Sequence, residues 1–359
     1  MGNKHIGKIK FSSKNKTVYF YEYNNNTSIM YDSDGNPMSF KVKKLGGGGT
    51  AKVFKVPSGV FPIPIVIKRY SDKILSENGS AIGSFLRSLI EFRKNLPGKT
   101  RYVIDQYTVW PQRLVYDYDS NKVCGFTMQL IPELFFTQMT VAGEVETKES
   151  NLDFVLHGTE FRRKYDLPVI TSKGRARITY DFIQIVSILH NHDYILGDLS
   201  PKNMLISIDE NDQSKNRILF IDTDSYRKKG SIHPLQQLHT PDWIPPECLK
   251  ASEGLSKLTP NANPSKITRL KIDMFIQNQR TDVYKMCLAI TRLYHDGELA
   301  SMITSSESAN EKLKKEIGDE FANYVRLGLS DRPDERPIVG NMLICFTNSL
   351  QTKQWNGSK

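Results

Sequence analysis

The segment Ile195-Leu196-Gly197-Asp198-Leu199-Ser200-Pro201-Lys202-Asn203, followed by Phe220-Ile221-Asp222, constrains this chain more than any other. It sets two carboxylates and an amide in a loop and at the next strand end. Asp198 can accept a hydroxyl proton, and Asn203 and Asp222 offer hard oxygen ligands to magnesium. That is the order a phosphoryl-transfer site uses. The D-x-x-x-x-N spacing recurs by chance in many proteins, so its weight comes from being the third of five ordered signals.

At 359 residues, the chain is long enough for one large two-lobed domain or two ordinary ones with a substantial core. Hydrophobic and aromatic contents of 39% and 10% exclude a disordered chain. No apolar run approaches the ~20 residues that span a bilayer, so no membrane partner is expected. The N-terminus is polar and lysine-rich and lacks an apolar signal core. Met1-Gly2 is followed by Ile6 where myristoylation needs Ser or Thr. Cys124, Cys248, Cys287 and Cys345 form no C-x-x-C pair, which points away from metal or disulfide frameworks and toward the reducing cytoplasm. The net charge of +10 is spread along the chain, with a modest cluster at Lys4, Lys8, Lys10, Lys14 and Lys16. Zinc-finger spacing and aromatic-plus-basic RNA signatures are missing, so the charge reads as a solvated surface and not as a nucleic-acid footprint.

Residues 6–44 alternate polar and apolar side chains (Val18, Phe20, Ile29, Tyr31, Phe40, Val42) around an Asp34-Gly35 turn, predicting short antiparallel strands. Strands are also expected at Lys52–Val56, Ile63–Arg69, Val109–Tyr116 and Val123–Leu130, with a single helix at Gly83–Lys94. After Pro132 the pattern turns helical: Phe182, Ile185, Val186 and Leu189 share a face, and the region beyond Thr281 is mostly helical. The expected architecture is α+β, a small β-rich lobe followed by a larger α-rich one. Residues 1–40 read as an N-terminal β extension, 41–132 and 133–350 as the two lobes, and 351–359 as a tail. Lys250–Gln279, rich in Ser, Asn, Pro and Lys, reads as a long loop or insertion.

Leu45-Gly46-Gly47-Gly48-Gly49-Thr50-Ala51-Lys52-Val53 lies between two strand candidates, where glycines let a hairpin backbone approach polyphosphate and turn its N–H groups to the anion. Such a run standing alone is more often a flexible turn. Ile65-Val66-Ile67-Lys68 follows, with a lysine held at a strand end. Glycine hairpin, strand lysine, Asp198…Asn203, Asp222 and Pro245-Pro246-Glu247 then appear in one order. In that order the chain resembles the eukaryotic-like protein kinases from about Leu45 to Met342, and within them a divergent bacterial Ser/Thr branch.

The resemblance implies a two-lobed kinase-like fold using ATP and Mg2+. It matches Gly46 and Gly48 to the first two glycines of the nucleotide loop, with Ala51 where a third usually stands. Leu45 and Val53 fall at nucleotide-covering positions, and Lys68 matches the lysine of V-A-I-K. Met128 falls at the gatekeeper, with the backbone of Gln129 and Ile131 as the adenine hinge. Asp198 matches the catalytic base, and Asn203 and Asp222 match the magnesium positions. Thr240-Pro241-Asp242-Trp243-Ile244-Pro245-Pro246-Glu247 resembles the end of an activation segment, Asp282-Val283-Tyr284 the start of its anchoring helix, and Arg336 the arginine that pairs with Glu247. Thr240 matches the threonine that hydrogen-bonds the catalytic aspartate in Ser/Thr kinases. Lys202 stands where tyrosine kinases carry a γ-phosphate cation, while Ser200 replaces the Ser/Thr-kinase lysine.

Other departures matter as well. Leu196 and Gly197 replace His-Arg of H-R-D, and Thr223-Asp224 replace Phe-Gly after the metal aspartate. The glutamate expected to pair with Lys68 is Glu77, Glu91 or neither. Three functions follow: a protein Ser/Thr kinase acting on a protein substrate, a nucleotide-binding pseudokinase serving as a regulatory scaffold, or a small-molecule kinase. Neither the substrate's identity nor the oligomeric state is encoded in these patterns.

Overall fold

Alternating apolar residues in the first third of the chain build a curled sheet whose apolar face turns inward. The computed structural model describes residues 7–12, 17–22, 39–157, 159–259, 261–295 and 300–352. Ile29, Tyr31, the Asp34-Gly35 turn, Lys4, Lys14, Lys16 and residues 353–359 lie outside them. Among the described residues the chain is mixed α and β, with eleven α-helices and thirteen strands. It divides into two compact units: one holds Met1–Ile131, Asp222–Asp224 and Ile232–Gln236, the other Pro132–Ile221, Ser225–Ser231 and Gln237–Lys359.

The first unit contains β1 (Gly7–Ser12), β2 (Thr17–Glu22), β3 (Ser39–Gly47), β4 (Ala51–Lys55), β5 (Ile65–Tyr70), β6 (Arg113–Asp117) and β7 (Val123–Gln129). These pair in the order β1-β2-β6-β7-β5-β4-β3, and β3 pairs with β1 to close a barrel. Residues 7–22, read from the sequence as an extension, are thus two of its staves. Val18, Phe20, Val42, Phe54, Val56, Ile65, Ile67, Val115 and Cys124 fill the interior. Every second residue of β4 and β5 faces in, so Val53, Val66, Lys68 and Tyr70 face out.

Two helices accompany this barrel, not the single one expected. α1 (Asp72–Asn95) starts eleven residues before the Gly83 of the sequence reading. Its first half carries Ser76, Asn78, Gly79 and Ser80, poor helix formers that hid it. Burial of Ile82, Leu86, Leu89 and Ile90 compensates. α2 (Gly98–Tyr107) is tied to α1 by Arg93, whose Nε and Nη2 donate to Asp105 at 2.6 and 2.7 Å. Trp110 Nε1 donates to Leu89 O at 3.0 Å.

The second unit is mostly helical: α3 (Asp153–Leu156), α4 (Thr159–Lys164), α5 (Ser172–Asn191), α6 (Pro246–Ser256), α7 (Pro264–Asp273), α8 (Gln279–Tyr294), α9 (Glu307–Glu316), α10 (Asp319–Gly328) and α11 (Val339–Thr352). β8 (Phe136–Val141) pairs with β9 (Glu144–Glu149), β10 (Tyr194–Ile195) with β13 (Arg227–Lys228), and β11 (Met204–Ser207) with β12 (Arg217–Phe220). Helix α8 is buried on all sides from Thr281 to Tyr294, as a helix at the centre of a bundle must be. A capping box of Asn278 and Thr281 fixes its start. Residues 250–279, expected as a loop, instead carry most of α6 and all of α7. Asn263 caps α7 ahead of Pro264, the usual chemistry of a helix start.

Candidate functional site

In the first unit, the register of the barrel gathers residues distant in sequence. Gly46 lies opposite Val53, Val53 opposite Lys68, and Lys68 opposite Phe126 on four successive strands. Cross-strand neighbours share a face, so Val53 and Lys68 stand side by side on the outer surface. Met128 is buried opposite Val66, two residues from Lys68 on the same face. Gln129 ends β7 opposite Ile65, and Leu130 N donates to Pro64 O at 3.0 Å just before Ile131. Leu45 is exposed at the rim. All the expected nucleotide-contacting residues therefore occupy β3, β4, β5, β7 and their ends.

The glycine hairpin differs in detail from the sequence reading. Gly47 is the position that requires glycine. Its φ is +143°, and a Cβ there would sit 2.5 Å from Ala51 O and 2.7 Å from Lys52 Cα. Around Gly46, Gly48 and Gly49 a Cβ would meet nothing within 4 Å. The Gly48 N–H donates to Ala51 O at 3.0 Å, so the turn itself uses that donor and does not leave it for an anion.

Lys68 Nζ lies 2.8 Å from Asp224 Oδ1 and 3.1 Å from Asp222 Oδ1. Tyr70, two residues along the same face, donates its hydroxyl to the second Asp224 oxygen at 2.7 Å. Burial alone would lower the Lys68 pKa, but the charges of Asp224 and then Asp222 outweigh it and hold the ammonium above its ordinary value. Burial also works to raise the Asp224 carboxyl, and the Lys68 charge and its hydrogen bond reverse the direction, keeping Asp224 ionised. Tyr70 is pushed up by burial and then by the Asp224 charge, so it remains a donor. Asp222 takes a left-handed φ of 54°, a strained backbone that Asp tolerates better than most residues. Thr223, in place of the expected aromatic, is buried and donates to Val109 O at 2.8 Å. Neither candidate glutamate reaches Lys68: Glu91 pairs with Lys94 at 2.8 Å and Glu77 is exposed.

In the second unit, the loop after β10 is fastened by helix α8. Asp282 accepts from Leu196 N and Gly197 N, both at 2.9 Å, and contacts His190 Nε2 at 3.1 Å. Lys285, fully buried, donates to Gly197 O at 2.7 Å. Burial lowers its pKa, opposed by the charges of Asp198 and Asp282. Asn203 Nδ2 donates to Asp198 Oδ2 at 2.9 Å and to Asp198 O at 3.1 Å, which brings these two expected site residues together. Lys202 is exposed beside them, on the short turn Pro201–Asn203. Gly197 has a φ of 70°, and a side chain there would overlap Gln277 Oε1. Arg227 donates to Gln237 Oε1 at 2.8 Å and to Gln277 O at 2.6 Å, and Gln237 donates to Ser225 O at 2.7 Å. A neutral glutamine pair with Arg227 thus occupies the space beside Gly197. Thr240 is partly buried, and its carbonyl accepts from Trp243 N at 3.1 Å. Arg336 grips Glu247 through two bonds of 2.8 and 2.6 Å.

Sequence reasoning missed Asp224, Tyr70 and Lys285. The signal for the first two was present: a second carboxylate in D-T-D, and a tyrosine two residues after Lys68, hence on its face of the strand. Among the described residues there is no group of three or more His, Cys, Asp or Glu that could hold a metal ion, and no helix long and apolar enough to cross a membrane. Comparison with protein-family models gives no match, and neither does comparison with curated proteins.

Proposed function

We propose that this chain is an ATP- and magnesium-dependent protein kinase, built on a two-lobed kinase-like scaffold, that transfers the γ-phosphate to serine or threonine hydroxyls of a protein substrate in the cytoplasm. The observation that carries the reading is the outer face of β4 and β5, where Val53 and Lys68 stand together and the ammonium meets a carboxylate of the D-T-D turn at 3.1 Å. An apolar side chain beside a fixed cation suits a purine joined to phosphates.

In this reading Leu45, Gly46, Gly48, Val53 and Met128 enclose the nucleotide, and the backbone of Gln129 and Ile131 recognises its base. Lys68 orients the phosphates. Asn203 and Asp222 would each offer magnesium a hard oxygen donor, one an amide oxygen and the other a carboxylate. Magnesium, when bound, neutralises charge on the transferred group. Asp198 takes the acceptor hydroxyl's proton, and its hydrogen bond from Asn203 orients the carboxylate. Lys202 supports charge on the phosphoryl oxygens, and Thr240 steadies Asp198 beside the acceptor.

The test is transfer of radiolabelled phosphate from ATP by the full chain, to itself and to a generic protein substrate. Asp198→Asn and Asp222→Asn should each reduce the rate by about 10²-fold or more. Lys202→Ala should lower kcat more than it raises KM for ATP, as for a contact made in the transition state. Wild-type rates in both aspartate variants would defeat the proposal. The double neutralisation of Lys68 favours one alternative, a nucleotide-binding regulator without transfer activity, and binding of ATP with no labelled product would support that second reading.

A further inference from the structure

A lysine that orients phosphates must itself be held, and helix α1 does not hold this one. Its acidic residues are otherwise placed: Asp72 pairs with Arg69 at 2.8 Å, Glu91 with Lys94 at 2.8 Å, and Glu77 is exposed. The D-T-D turn provides two carboxylates instead, and their environments differ. The Asp222 side chain is 51% exposed, against 10% for Asp224. Asp224 is also engaged at both carboxylate oxygens and at its carbonyl. One oxygen takes Lys68 at 2.8 Å and the other takes Tyr70 at 2.7 Å. Its carbonyl lies 2.9 Å from His233 Nε2, while His233 Nδ1 lies 2.8 Å from Leu235 O and 3.1 Å from Leu235 N. The His233 ring packs edge-on against Phe85 of α1, with centroids 4.6 Å apart.

Resting on the kinase reading above, we infer that Asp224 is the positioning residue for Lys68, held by Tyr70 and His233, and that it performs the task expected of a helix glutamate. The two aspartates divide their work. Asp224, buried and fully engaged, stays with the ammonium whether or not nucleotide is present. Asp222, more exposed and bound more loosely at 3.1 Å, is free to turn to a magnesium ion. Helix α1 contributes the Phe85 ring that packs on His233. Its glutamates are therefore dispensable, and the lysine is set by the turn that also carries Asp222.

The experiment compares Asp224→Asn, Tyr70→Phe, Glu77→Gln and Glu91→Gln in the full chain by three readouts. The first is competitive amine labelling of Lys68 in nucleotide-free protein, the second binding of a fluorescent mant-ATP with magnesium, and the third steady-state phosphoryl transfer. Asp224→Asn should raise Lys68 labelling several-fold and cut kcat/KM for ATP by about 100-fold, mostly in kcat, as expected when a reacting group is misplaced by about 1 Å. Tyr70→Phe, which leaves the charge and removes one support, should move both in the same direction by about threefold to tenfold. The two glutamate variants should stay within about twofold of wild type in all three. An active wild type beside an equally active Asp224→Asn, or a glutamate variant as impaired as Asp224→Asn, overturns the inference alone. A wild type that binds no mant-ATP and transfers no phosphate overturns the kinase reading, and this inference with it.

Discussion

At the scale of single residues, buried ionisable groups set how the second unit responds to acid. His239 is pushed down to about 3, first by burial and then by the positive charge of Lys285; the Ile276 backbone and the Asp282 charge act in the other direction. An unfolded histidine takes its proton below about 6.5, whereas the folded one waits until near 3. Between those values the unfolded state binds the extra proton, so stability falls as pH drops through that window. Above it the contribution of the neutral ring is complete. The slope from this one group approaches about 1.4 kcal/mol per pH unit. Urea unfolding followed from about pH 7 to about pH 4 should therefore show a shallower loss of stability in His239→Gln than in wild type. Equal slopes would mean that another group governs acid sensitivity.

At the scale of elements, the junction between α6 and the segment around the turn Pro333–Glu335 is tied by a buried ion pair, Glu247 with Arg336, and an exposed one, Lys250 with Asp331. Glu247 sits in the first turn of α6, where the helix favours a negative charge. Arg336 is 1% exposed and meets it in bidentate fashion, also donating from Nε to Ser330 O at 3.1 Å and lying over the Tyr284 ring. Glu247→Ala strands that guanidinium in the interior and should cost about 3–5 kcal/mol. Adding Arg336→Met should recover part of the loss, and a single-variant cost below about 1 kcal/mol in urea unfolding would refute the pair's structural role. This contact was legible in the sequence because both partners sit in recognisable motifs, 89 residues apart. Strands of the barrel were legible from alternation, with Val18, Phe20, Val42, Phe54, Ile65, Ile67 and Val115 turned into its interior. Helices α6 and α7 were not, because Ser, Asn and Lys in that stretch masked a helix start marked by Asn263-Pro264. The β8–β9 hairpin was missed for a similar reason: Ala142 and Gly143 both take positive φ, 51° and 85°, and Ala is not the residue that advertises such a turn. The reading left Glu77, Glu91 or neither beside Lys68, and Asp224 went unnoticed because it acts through a tertiary contact spanning 156 residues, which no local period encodes.

At the scale of the whole molecule, the organising fact is that the first unit is discontinuous. Asp222–Asp224 and Ile232–Gln236 belong with residues 1–131, although Ile221 before them and Ser225 after them belong to the second unit. Energetic coupling follows contacts and not chain order, so a lesion at Asp224 should be felt far away in sequence. Asp224→Ala in the full chain removes the partners of Lys68 and Tyr70 on β5 and loosens the turn that reaches Val109 through Thr223 and Phe85 through His233. Strand β12, which ends at Phe220, is only four residues away but pairs with β11 inside the second unit. Hydrogen exchange read by mass spectrometry should then show β5 (Ile65–Tyr70) and the segment Ile232–Gln236 losing protection, while β11 and β12 keep theirs. If protection is lost from Arg217–Phe220 and retained at Ile65–Tyr70, the D-T-D turn belongs energetically to the unit of its sequence neighbours. A hold on Lys68 that is local to the barrel would then be refuted.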